Sequence, residues 1–328
     1  MNKKIFRIVI RNFIRIITLL VAIGIVAFFL IQRSPIDPVQ AYIGAGTAVS
    51  PEQRENIETY WGLNQPPIEQ FFSWGSALLK GDFGISLIYR RPVIDIITEK
   101  FVNSIFLMGF SWILSGIIGY GLGLLMGTYR EKFPDKILKS ICIILISTPT
   151  FWIALILLLI FSIYLQWFPI GLSVPIGIMT EEVTFIQRLY HVILPALALS
   201  LTSFSTVALH TRDKVISVLQ SDYVLFAKAR GENTRQIIKN HVIRNTLIPA
   251  ITLQFASFSE LFGGSMLVEQ VFSYPGLGRT IVEAGLRSDI PLLLGVTLFS
   301  ALFVFIGNGI ANILYALVDP KIREMNYE

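Results

Sequence analysis

The sequence predicts an all-α integral membrane protein, with six transmembrane helices and a polar two-helix loop projecting from the cytoplasmic face. Three observations carry this expectation. Of the 328 residues, 53% are hydrophobic and 15% charged, and the mean hydropathy is +0.65, outside the range of soluble domains. Six apolar stretches, near 10–31, 104–129, 138–164, 191–211, 246–268 and 291–317, approach the ~20 residues that take a helix across a bilayer core. Between the fourth and fifth stretches lies SDYVLFAKARGENTRQIIKNHVIRNTLIPA, residues 221–250, whose helical pattern is broken at Gly231. So polar a segment does not belong in hydrocarbon, and it is placed in water.

Residues 1–31 read as a cytoplasmic end and the first span. Lys3, Lys4, Arg7, Arg11 and Arg15 come without an acid, and FFLIQRSPIDP offers no small-residue cleavage site. An uncleaved anchor is therefore expected rather than a secretory signal. Residues 32–103 read as an extracellular cap, opening on a turn at Pro35 and Pro38. Two short helices follow: PEQRENIETYWGLNQ, stopped at Gly62, and IEQFFSWGSALLK, with Phe71, Phe72, Trp74 and Leu78 along one side. These aromatics suit the membrane interface.

In the second span Gly119, Gly123 and Gly127 recur every four residues, so they share a helix face that permits close approach of a neighbour. Gly121 adds a superficial G-x-G, but no strand precedes it to build a nucleotide site. Cys142 is the one cysteine and lies within the third span, where it is expected to pack as a small apolar side chain. Pro149 and Pro195 remove backbone donors and are expected to kink their helices. Residues 104–317 thus form a five-helix core with the polar loop at 212–245, followed by a cytoplasmic tail at 318–328.

Charge orients the bundle. Besides the basic N-terminus, the second connection carries Arg130, Lys132, Lys136 and Lys139 against Glu131 and Asp135. The fourth carries Arg212, Lys214, Lys228, Arg230, Arg235, Lys239 and Arg244 against Asp213, Asp222 and Glu232. The third and fifth are slightly acidic, with Glu181, Glu182, Glu269, Glu283 and Asp289 outnumbering Arg188, Arg279 and Arg287. By the excess of positive charge on the inner side, both termini and the polar loop are cytoplasmic. The net charge of +5 therefore needs no nucleic acid to explain it.

Within the polar loop, Ser221 or Asp222 is placed to cap the first helix, and Gly231 to end it in a left-handed turn. Asn233 or Thr234 is placed to cap a second helix through TRQIIKNHVIRN. Tyr223, Ala227 and Arg230 fall on one face, and the small Ala227 and Ala229 would let that helix settle into a groove.

The core D-Y-x-x-x-A-x-A-x-G is here Asp222, Tyr223, Ala227, Ala229 and Gly231, with Pro249 eighteen residues beyond the glycine. It resembles the cytoplasmic loop of bacterial ABC importer permeases of the peptide and nickel branch. Leu225, Phe226 and Ala227 stand where the general importer motif has Glu-Ala-Ala, and Arg244 where it has proline; both departures are shared by that branch. GDFGIS followed by R-P-V, VEQVFSYPGLGR at 268–279 and ILYALVDPKIR at 313–323 extend the likeness over about 300 residues. The resemblance implies a type I ABC importer transmembrane domain in the bacterial inner membrane. It implies that Asp222, Tyr223, Ala227, Ala229, Arg230, Gly231 and Glu232 couple the chain to an ATPase. It implies a complex with a second homologous permease, two cytosolic ATPases that bind ATP and Mg, and an extracellular solute-binding protein, with membrane lipid around this chain. The chain itself would hold no cofactor. The cap would either touch the binding protein or stabilise helix ends as a lid.

No Walker A sequence, H-E-x-x-H or nucleophile–base pair is present, so no catalytic role is expected. His191, His210 and His241 are isolated and are read as structural or solvated rather than as metal ligands. Glu260, in SFSELFGGSMLVE, is the one acid well inside an apolar stretch, and an intramembrane carboxylate normally faces a cavity or a partner. Glu260, Gly263, Gly264, Ser265 and Met266 are thus candidates for the substrate pathway. The other reading has Glu260 hydrogen-bonded to a helix bearing Asn308 or Asn312. The E-L-x-G-G-S/T-M run and YLQWFP at 164–169 resemble nickel-type permeases. The expected cargo is accordingly nickel or another chelated transition metal, with dipeptides or oligopeptides as the alternative. A secondary transporter would often show internal repeats, and the 221–250 pattern has no second copy.

Overall fold

The computed structural model describes residues 3–33, 39, 50–60, 64–178 and 182–318. The turn at Pro35 and Pro38, the stop at Gly62, the tail beyond Val318 and the side chain of Asn312 lie outside the described residues. Among those described, regular structure is helical, with one isolated antiparallel bridge between Ile85 and Pro92. The helices are α1 (Lys3–Gln32), α2 (Pro51–Tyr60), α3 (Pro67–Leu79), α4 (Val93–Thr128), α5 (Phe133–Ser147), α6 (Thr150–Leu157) and α7 (Phe185–Leu219). After them come α8 (Asp222–Ala229), α9 (Thr234–Ile237), α10 (Ile243–Ala256), α11 (Phe258–Val271), α12 (Leu277–Leu286) and α13 (Ile290–Val318). Two π-helical segments, Leu158–Tyr164 and Ile238–Val242, continue α6 and α9.

Helices α1, α4, α7 and α13 are long and apolar enough to cross a membrane, and α5 with α6 makes a fifth candidate bent by 108°. The expected spans are corrected in two places. The helix of the second extends back to Val93, its first turns packed into an apolar core through the wholly buried Ile96 and Ile97. The third breaks at Thr148 and Pro149, which take extended ψ values of 128° and 135°; the kink expected of Pro149 is a full change of direction. The span expected at 246–268 is divided at Ser257, whose ψ of 2° separates α10 from α11 without any proline or glycine at the break. By contrast Pro195 sits inside α7 without ending it.

The chain forms two compact units, one of residues 1–103 and 276–306, the other of 104–275 and 307–328. In the first, Val93, Ile96, Ile97, Leu277, Ala284, Leu292 and Val296 make a buried core. The aromatic side of α3 packs on α1, with Phe28 5.3 Å from Phe71 and 5.7 Å from Trp74 between ring centroids. The loop carrying GDFGIS is fastened by Asp289, which is fully buried. Its carboxylate accepts from Ser86 Oγ (2.5 Å), from the Ile88 amide (2.9 Å) and from the Leu292 amide (3.1 Å). Tyr89 adds a bond from its hydroxyl to Glu283 at 3.1 Å. Burial, then Glu283, pushes the Tyr89 phenol up to about 12, so it remains a neutral donor across the physiological range.

In the second unit the glycine face of α4 lies against α7 as its spacing predicts. A Cβ on Gly119 would stand 2.8 Å from Val207 Cβ, one on Gly123 2.5 Å from Thr211 Cβ, and one on Gly127 2.5 Å from Val215 Cβ. Gly121, on another face, would meet nothing within 4 Å. Cys142 is buried with Met126 and Ala208. Asp135, 2% exposed, receives both a 2.6 Å and a 2.8 Å bond from the Arg212 guanidinium and a 2.7 Å bond from the Glu131 amide. Glu269, counted above among external acids, is fully buried and accepts from Ser104 Oγ at 2.7 Å. Burial, and after it Glu269, raises the Tyr274 phenol above its ordinary range.

Candidate functional site

The polar loop of 221–250 folds as α8, a turn, α9 and a π-helical turn that runs straight into α10. Its second helix is therefore no separate rod but the extended base of the next apolar helix. Ser221 occupies the N-cap position of α8 without capping it; its hydroxyl bonds instead to the Val218 carbonyl at 2.6 Å. Gly231 ends α8 at φ +89°, the left-handed conformation that favours glycine. Asn233 caps α9 in a reciprocal box, accepting from the Gln236 amide at 3.0 Å while Gln236 accepts from the Asn233 amide at 2.8 Å. His241, in the π turn, lies 3.1 Å from Glu232 and 6.1 Å, ring to ring, from Tyr223.

The face of α8 is a correction to the sequence reading. Ala227 is 3% exposed, turned inward with Val224 toward the core of Val215, Val218, Ile237 and Val242. Its small side chain brings α8 close to its own protein instead of offering a surface. What faces outward is Tyr223, Leu225 and Phe226, with Leu225 67% and Phe226 65% exposed. Asp222, Ala229, Arg230 and Gly231 are also exposed, and Glu232 is half-buried.

The second feature is a cavity of about 440 Å³ at the break between α5 and α6, lined also by α7 and α11. Glu260 and Gly264 line it; Gly263, Ser265 and Met266 do not. Ser265 is buried and bonds to the Phe262 carbonyl at 2.8 Å. Asn308 Oδ1 accepts from Ser259 Oγ at 2.5 Å, and Glu260 has no hydrogen-bond or ion-pair partner among the described residues. Sequence reasoning missed the rest of the lining, which is Ser147, Thr148 and Thr150 at the break and Thr202, Ser203 and Thr206 on α7. Among the described residues no three His, Cys, Asp or Glu gather at one place. His191 bonds to the Gln187 carbonyl of its own helix at 2.9 Å, and His210 is exposed.

Long apolar helices, a hydroxyl-lined cavity at a helix break and an apolar surface on a polar loop fit a multi-pass membrane component. The chain belongs to the family of binding-protein-dependent transport system inner membrane components, whose model matches residues 119–324. The N-terminal model of the same membrane components matches residues 5–108. The chain is thus a non-catalytic permease subunit of an ABC importer of the peptide and nickel branch. It is 33% identical to the oligopeptide transport system permease protein AppB of Bacillus subtilis (strain 168), over 96% of this chain and 98% of that protein. It is 32% identical to the glutathione transport system permease protein GsiC of Escherichia coli (strain K12), over the same shares. Neither name speaks for nickel, and the expectation of a metal cargo finds no support in these relatives.

Proposed function

We propose that this chain forms half of the translocation pathway of a peptide importer. It works with a second homologous permease, two cytosolic ATPases that bind ATP and Mg, and an extracellular binding protein. Leu225 and Phe226 carry the coupling part of this reading, because two large apolar side chains held in water on a short, well-anchored helix are a contact surface. The docked helix moves when the ATPases close, and the continuous path from α9 through the π turn into α10 carries that motion into the membrane. Both termini and this loop face the cytoplasm, by the basic residues around them.

Peptide cargo is favoured over nickel by the oligopeptide and glutathione permeases to which the chain is similar. The lining of the cavity agrees, since one carboxylate among hydroxyls lacks the imidazole or thiolate donors that suit nickel. The test is ATP-dependent uptake by the complete importer of labelled tripeptide and, separately, of radioactive nickel. Peptide accumulation is expected; accumulation of metal alone overturns the cargo assignment.

A further inference from the structure

We propose that the cavity beside Glu260 is a subsite for a primary ammonium group on the cargo, an inference that rests on the peptide reading above. Among the described residues of its lining, Glu260 is the one that carries a charge. Of the six hydroxyls in the lining, four point their protons at backbone carbonyls. Thr148 gives its proton to the Ile144 carbonyl at 2.8 Å and Thr206 to the Thr202 carbonyl at 3.4 Å. Thr202 and Ser203 both point theirs at the Leu199 carbonyl, at 3.5 Å. A hydroxyl has a single proton, so one bonded to its own helix shows only lone pairs to the cavity.

Among the described residues of the lining, carboxylate and hydroxyl lone pairs therefore converge with no basic side chain. Such a surface repels anions and asks for a cation that donates several hydrogen bonds. An ammonium group, with three donors and a full positive charge, fits that demand.

Two arms test this on the complete importer. In a Cys142→Ala background, Thr202→Cys places a thiol in the lining. Relative to their rates with a free thiol, 2-aminoethyl methanethiosulfonate should modify it about tenfold faster than the anionic 2-sulfonatoethyl reagent, and Glu260→Gln should abolish the preference. Equal rates, a preference that survives Glu260→Gln, or no modification by either reagent overturns the subsite. In the uptake arm, Glu260→Gln should cut trialanine import about tenfold, with Glu260→Asp restoring part of it. An N-acetylated tripeptide containing lysine distinguishes a side-chain ammonium from the N-terminal one: sensitivity to Glu260→Gln marks the side chain as a second source. Unchanged import of trialanine by Glu260→Gln overturns the proposal. A wild-type importer that takes up no peptide removes the peptide reading, while the reagent arm still judges the cavity.

Discussion

Arg212 and Asp135 form the most consequential single pair, because the carboxylate is almost fully buried and the guanidinium meets it with two bonds. Breaking a buried pair from one side leaves a charge without compensation, at a cost of about 3–5 kcal/mol. Arg212→Ala should therefore lower the thermal midpoint of the purified permease well below that of Lys214→Ala, measured by unfolding in detergent; equal midpoints would mean the pair contributes nothing. At this scale the sequence was legible where a residue is out of place. Glu260 stands out because a charge in an apolar stretch is costly. The cavity's serines and threonines did not stand out, because such residues are common in helices and most of these give their proton to a carbonyl of their own helix. Ala227 was misread for a related reason. Spacing says which residues share a face, but only packing against Val215 and Ile237 says which face turns inward.

The glycines of α4 give an internally controlled experiment at the level of the helix. Gly123→Ala forces a methyl into Thr211 and the Ala208 carbonyl, which lies 2.6 Å away, an overpacking that costs about 1–3 kcal/mol. Gly121→Ala meets open space and should be neutral or stabilising by up to ~1 kcal/mol through helix propensity. Comparing the two melting curves checks this, and a loss of equal size at both positions would refute the close approach. For α8 the informative change is Phe226→Asp, which alters an exposed side chain and leaves the core beneath untouched. The variant should keep its melting temperature while the reconstituted importer loses substrate-stimulated ATPase activity; undiminished stimulation would remove this face from the coupling role. Ala227→Glu is uninformative here, because burying the charge would unfold the loop. The helix break at Pro149 and the stop at Gly231 were legible, each having a residue that dictates its backbone. The break at Ser257 was not, since nothing in SFSELFGG announces it.

For the whole molecule, the sequence supplied the class, the loop and the asymmetry of basic residues. It overstated the external acids, because Glu269 and Asp289 are buried and act as hydrogen-bond acceptors rather than solvated charge. Orientation thus rests on lysine and arginine alone, as the physics of insertion requires. Cysteines introduced at the exposed Thr59 and Asn233 test it: an impermeant maleimide on spheroplasts should label position 59 and spare 233, and the reverse pattern would invert the topology. The buried Asp289 has a further consequence, in time rather than in space. Its partner Ser86 lies 203 residues earlier in the chain, and the whole of 104–275 is made in between. A nascent chain must therefore carry the loop of Ser86 unfastened through most of translation. The part of the protein synthesised first is among the last to be finished.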